Sequence, residues 1–240
     1  MRLTAALLGA ALAAGAAATT AEAAPVTVDG SEFTNGASAQ VIDGIAWSAA
    51  PTGSTFLKKT LGTPAFTGVG INPGVTGDEI DIGEFLTGVS SNFLSIASLT
   101  LGVLFDGPEF GDVREVARVT VTSASGGPVA YTLTSGLPGQ GGATWSGPGG
   151  VVTNLSPPTD GGGAVWRVSN PFGALADITR VEFTALPGAG CGEGACNNQS
   201  DFTLVQLQAT VPEPASLTLF GAGLLGLGLA ARRRRKATAA

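Results

Sequence analysis

The chain has 240 residues, with 12 basic side chains against 18 acidic ones, 44% apolar residues and no histidine. That apolar share is too high for a disordered chain, and the length suffices for one domain with a real core. The missing histidine removes Ser-His-Asp and Cys-His nucleophilic systems and ordinary zinc hydrolase sites, and a net charge of −6 argues against nucleic acid or anionic lipid as partners.

At the N-terminus, Arg2 supplies a positive start and Leu3 to Ala18 an apolar, small-residue stretch. Ala21-Glu22-Ala23 then fits the small-x-small pattern that precedes a signal-peptidase cut. Residues 1–23 therefore read as an export signal peptide with signal peptidase as its partner; the competing reading is a permanent N-terminal membrane helix. Removing residues 1–23 and the tail 211–240 takes away Arg2, five tail cations, Glu22 and Glu213. The 6 basic and 16 acidic residues left give the exported part, 24–210, a charge of about −10.

Within 24–210 the apolar period is two. Runs at Gln40 to Trp47, Glu79 to Phe85, Leu99 to Phe105, Val116 to Thr122, Ala130 to Thr134, Ala164 to Val168, Ile178 to Phe183 and Phe202 to Ala209 read as strands between Gly, Pro, Asn, Asp and Ser clusters. Leu99, Leu101, Val103 and Phe105 share one face; Thr179, Val181 and Phe183 alternate with Ile178, Arg180 and Glu182. Eight to eleven strands without a long amphipathic helix predict an all-β domain, an antiparallel β-sandwich of jelly-roll type. Ser135 to Gly163, rich in Gly-Gly and carrying Pro157-Pro158, reads as a long surface loop.

Two acidic clusters stand out. Asp78-Glu79-Ile80-Asp81-Ile82-Gly83-Glu84 places Glu79 and Asp81 on one strand face and Ile80 and Ile82 on the other. Asp106, Glu109 and Asp112 lie in a turn after a strand and offer hard oxygen ligands to structural Ca²⁺. The alternatives are a solvated acidic surface and a glycosidase carboxylate pair, for which nothing fixes the separation. No Walker or dinucleotide glycine fingerprint is present, since the glycines punctuate strands.

Three tryptophans invite a sugar-stacking reading. Trp166 and Trp47 fit a core, whereas Trp145, in a Gly-rich stretch, is the candidate for glycan contact. Cys191 and Cys196 are the only cysteines, and in an exported segment Cys191-Gly-Glu-Gly-Ala-Cys196 predicts a small disulfide loop. A redox pair is the alternative, with a spacing that does not match a CxxC motif.

The tail carries the strongest signal. Val211-Pro212-Glu213-Pro214 precedes an apolar run, Ala215 to Ala231, followed by Arg232-Arg233-Arg234-Arg235-Lys236. Seventeen residues span about 25 Å as a helix, at the short end of what a hydrocarbon core of ~30 Å requires. Five consecutive cations stop transfer and hold that end in the cytoplasm. Pro212 and Pro214 keep the stretch before the helix extended, as a protease binds it.

This order, Pro-Glu-Pro, a Gly/Leu transmembrane helix and an Arg cluster, resembles the PEP-CTERM sorting signal of Gram-negative bacteria. The resemblance implies that an exosortase, a membrane-embedded cysteine transpeptidase, recognises Pro212, Glu213 and Pro214 and cleaves nearby; a plain membrane anchor is the alternative. It further implies export through the inner membrane, a transient anchor, and release to the surface or the extracellular matrix, next to exopolysaccharide. A structural or adhesive role is expected, with a non-catalytic carbohydrate-binding module as the rival and a hydrolase third.

Overall fold

The computed structural model describes residues 23–61, 66–74, 76–104, 114–135, 142–156, 165–188 and 200–212, with five residues between 223 and 228. One compact unit, Ala23–Pro212, holds thirteen strands among the described residues. They are β1 (Ala24–Asp29), β2 (Ala39–Ile42), β3 (Ile45–Ala50), β4 (Thr55–Leu61), β5 (Phe66–Asn72), β6 (Phe85–Gly102), β7 (Val116–Ser123), β8 (Pro128–Ser135), β9 (Ala143–Trp145), β10 (Val151–Asn154), β11 (Trp166–Ser169), β12 (Ile178–Leu186) and β13 (Thr203–Val211). All strand pairings are antiparallel and join into one curled sheet.

β6 organises that sheet. Its first half, Phe85 to Leu94, lies between β3 and β12, and its second half, Ser95 to Gly102, between β13 and β11. The change of partners falls at Ser91-Asn92-Phe93, three exposed residues in a row. There β12 advances from Ile178 to Arg180 while β6 drops from Leu94 to Val89, which is a bulge. One half of the sheet therefore runs β2-β3-β6-β12-β7-β8-β9, and the other runs β10-β11-β6-β13, with β1 and β5-β4 on the far side of β13.

Inward alternation builds the core. Leu99 and Leu101 of β6, Val119 and Val121 of β7, Val181 and Phe183 of β12, and Leu204 and Leu207 of β13 are at most 1% exposed. Phe33 packs edge-on against Trp47 and Phe56 at ring separations of 5.5 and 5.0 Å, and Trp47 stacks on Phe183 at 6.3 Å. Each such side chain contributes about 1.5–3 kcal/mol relative to exposure. Tyr131, Trp145 and Phe172 form a second aromatic group.

Several sequence expectations change. Gln40 to Trp47 is a hairpin rather than one strand: Asp43 and Gly44 have φ of 47° and 76°, the left-handed pair that a two-residue antiparallel turn needs. The strand from Leu99 stops at Gly102 because Val103 takes φ 70°, and Leu104 turns inward, fully buried. The β12 bulge buries Ile178 together with Val181 and Phe183. Ser135 to Gly163 contains β9 and β10, and Glu79 to Phe85 makes only two isolated bridges, Ile71 to Glu79 and Ile82 to Ala185, before β6 begins.

Gly70 of β5 lies so close to the Asp78-Glu79 backbone that a Cβ there would stand 2.3 Å from the Asp78 carbonyl oxygen and the Glu79 Cα. Backbone cannot yield as a side-chain tip does, so Gly70→Ala is expected to cost about 2–3 kcal/mol. Equilibrium denaturation checks this; an unchanged midpoint would mean that the 78–79 segment moves freely.

Candidate functional site

Between β5 and β6 the chain folds back over the sheet. The Ile71 N–H donates to the Glu79 carbonyl at 2.8 Å and the Ile80 N–H to the Phe202 carbonyl at 2.7 Å, while Ile80 is fully buried. Pinning this apolar plug draws its acidic neighbours under cover. Glu79, Asp81, Glu84 and Asp201 are 3, 5, 6 and 9% exposed.

Each acid has partners. Lys59 of β4 pairs with Glu79 and, at 3.4 Å, with Asp78. Asp81 accepts from the Thr76 N–H at 3.1 Å and the Thr76 hydroxyl at 3.2 Å, and Glu84 accepts from the Asp81 N–H at 3.0 Å. Asp201 lies beside Glu79, whose negative charge disfavours a second charge there. Five acids thus share one lysine, and two of them, Glu84 and Asp201, hold their protons more tightly than usual. Burial pushes the Asp201 carboxyl up to about 8, helped by the charge and hydrogen bond of Glu79 and the charge of Asp81, with Lys59 opposing. Burial likewise lifts Glu84 to about 7; the Asp81 N–H pulls it down and the Asp81 charge pushes it up. For Lys59, burial acts downward, but the Glu79 hydrogen bond and charge leave the ammonium above its ordinary value.

The sequence groups Glu79, Asp81 and Glu84 in one acidic cluster; the fold buries them and adds Lys59 and Asp201. Asp201 had no signal, being more than a hundred residues from its partners in the chain. Among the described residues no group of three or more His, Cys, Asp or Glu is arranged to hold a metal ion. Asp106, Glu109 and Asp112 lie outside the described residues, as do Cys191 and Cys196.

Trp145 is corrected as a glycan platform. It sits on β9 only 8% exposed, donates its indole N–H to the Pro171 carbonyl at 2.8 Å, and packs between Tyr131 and Phe172. Trp47 and Trp166 are core, as expected. A polar stripe runs instead across β10, β11, β6, β13 and β1, with its β6 members Thr100 and Ser98 buried at 1 and 6% exposure. Thr153, Arg167, Thr100, Gln206 and Asp29 stand in register there, and Ser169, Ser98, Gln208 and Thr27 form the neighbouring row. Ser98 donates to Gln208 at 3.0 Å and Arg167 to Thr100 at 3.4 Å.

The last strand ends at the tail. Ala24 pairs with Val211 and Pro25 with Thr210, and Pro212 follows exposed and outside the ladder. A family model of the PEP-CTERM protein-sorting motif matches residues 210–235. This chain carries a PEP-CTERM sorting motif. The motif marks a chain for export and envelope processing as the substrate of an exosortase-type partner. No curated protein and no solved structure matches the chain significantly. Glu213, Pro214 and Arg232 to Lys236 lie outside the described residues, as do residues 1–22 of the signal peptide expected over 1–23. Gly223, Leu224 and residues 226–228 are helical; among the described residues no helix is long and apolar enough to cross a membrane.

Two outcomes follow from the carboxylate cluster. Lys59→Met strands the Glu79 charge, at a cost of about 2 kcal/mol, below the roughly 3–5 of a fully buried pair because Lys59 is partly solvated; urea titration reads it. The raised values of Glu84 and Asp201 mean that the folded chain keeps protons which the unfolded chain has released, so stability falls as pH rises from about 4.5 to about 8. Glu84→Gln is therefore expected to raise the melting temperature by roughly 3–5 °C near pH 8 and to leave it unchanged near pH 4. Equal shifts at both pH values would refute the assignment.

Proposed function

We propose that this is an exported surface or extracellular-matrix protein with a structural or adhesive role, released from a transient inner-membrane anchor by an exosortase-type transpeptidase. The single observation behind this reading is the sorting motif at 210–235, set directly after the last strand of the β-rich unit. In this reading residues 1–23 are removed by signal peptidase, Pro212, Glu213 and Pro214 are what the sorting enzyme recognises, and the apolar run 215–231 with Arg232 to Lys236 is the anchor that is left behind. The two half-sheets joined through β6 are read as the layers of a sandwich enclosing the aromatic core. A deficit of positive charge in the exported part keeps such a protein soluble and apart from anionic surfaces.

A second reading, a non-catalytic module that binds exopolysaccharide, is favoured by the exposed or half-buried hydroxyl, guanidinium and amide groups of Thr153, Arg167, Gln206 and Gln208, which flank the buried Thr100 and Ser98. Such groups match sugar hydroxyls without an aromatic platform.

Intact mass and C-terminal peptide mapping of the protein from the host's membrane and extracellular fractions test the first reading. A chain ending near residues 212–214 is expected outside the cell, and the variant Pro212→Ala/Glu213→Ala/Pro214→Ala is expected to stay in the membrane with Arg232 to Lys236 attached. Full-length protein in the membrane of the unaltered strain would overturn it. Titration of the host's polysaccharide against the chain and against Arg167→Ala separates the second reading; no saturable signal removes it.

A further inference from the structure

We propose that the pairing of β1 with β13 gates access of the sorting enzyme to the tail, an inference that rests on the reading that an exosortase-type transpeptidase acts at Pro212 to Pro214. The sorting motif and the fold overlap: the motif begins at Thr210, and Thr210 and Val211 are still in β13. Thr210 is held from both sides, by Pro25 of β1 and Ser95 of β6, and Ala209 likewise by Val26 and Ile96. An enzyme that takes a peptide as an extended strand needs the backbone groups on either side of its recognition residues. Here those upstream groups are already committed to the sheet, and no spacer separates the last ladder pair from Pro212.

The clasp has a graded strength that suits a gate. Val26 and Val28, 6 and 0% exposed, hold the inner part of β1 in the core. Ala24 and Pro25 are exposed, and Pro25 has no N–H to donate to the ladder. The last two pairs therefore open at little cost while those from Val26 inward do not, so fraying of β1 frees Val211 and the β1-facing edge of Thr210, whose other edge stays paired with Ser95, and leaves Ala209 held on both sides. Processing then proceeds at the rate set by this small, local opening.

The test is a pulse-chase in the native host that follows loss of the tail from the full chain. A six-residue Gly-Ser spacer between Val211 and Pro212 is expected to speed the cut by about threefold or more, because it frees the motif without touching the sheet. A cross-link made by Pro25→Cys/Thr210→Cys, in a Cys191→Ser/Cys196→Ser background, is expected to slow the cut by a similar factor relative to Thr210→Cys alone in that background. The spacer variant carries the test if the cross-linked one fails to fold, as its melting curve would reveal. Wild-type rates in the folded variants, with the Pro212→Ala/Glu213→Ala/Pro214→Ala chain uncut, overturn the gate and leave the sorting reading standing. If that triple variant is cut like the wild type, the sorting reading fails instead.

Discussion

The structure depends on one strand serving two half-sheets. β6 is 18 residues long, well beyond the usual five or six, and four strands are hydrogen-bonded along it. A strand that long accumulates twist, and its change of partners falls at the exposed Ser91-Asn92-Phe93 step, where the β12 partner slips register. Because both halves share β6, the inward faces of β3 and β12 and those of β11 and β13 are positioned by a single backbone. The core residues of both halves, from Trp47 and Phe183 to Leu101 and Leu207, belong to one contiguous cluster.

That arrangement sets the two places where the chain does something other than pack. At one end of β13, the residues just before the strand meet the segment between β5 and β6, so that Asp201 faces Glu79 beside the Ile80 plug. At the other end, β13 delivers the chain to Pro212 while it is still paired with the first strand. The buried carboxylates are a costly device, and the cost is met by Lys59, by hydrogen bonds from Thr76 and the Asp81 N–H, and by retained protons. The exit point is the reverse: weakly held, exposed and extended. One end of the same strand is tuned by burial and the other by its absence.

Strong local signals were legible in the chain. The sorting motif is a contiguous pattern of proline, apolar helix and cations, and such order survives any fold. Period-two runs at Val116 to Thr122, Ala130 to Thr134 and Phe202 to Ala209 became β7, β8 and β13, because one buried face imposes alternation on each. Other strands were not legible for equally physical reasons. β4 carries Lys58-Lys59 and β5 reads Phe-Thr-Gly-Val-Gly-Ile, whose glycines mark close approach, of the Thr203 side chain at Gly68 and of the Asp78-Glu79 backbone at Gly70, rather than a turn. The short β9 and β10 are held by cross-strand partners inside a glycine-rich stretch that alone looks like loop.

By itself the sequence determined the β-rich class, the acidic balance, the lack of histidine chemistry and the address written in residues 210–235. These rest on composition, short-range period or contiguous order. Only the tertiary structure decided that Trp145 is packed away, that Lys59 and Asp201 join Glu79, Asp81 and Glu84 under cover, and that the sorting motif starts inside a paired strand. Each of those depends on contacts between residues far apart in the chain. Such contacts leave no periodic trace, because burial and pairing belong to the sheet as a whole rather than to any one segment.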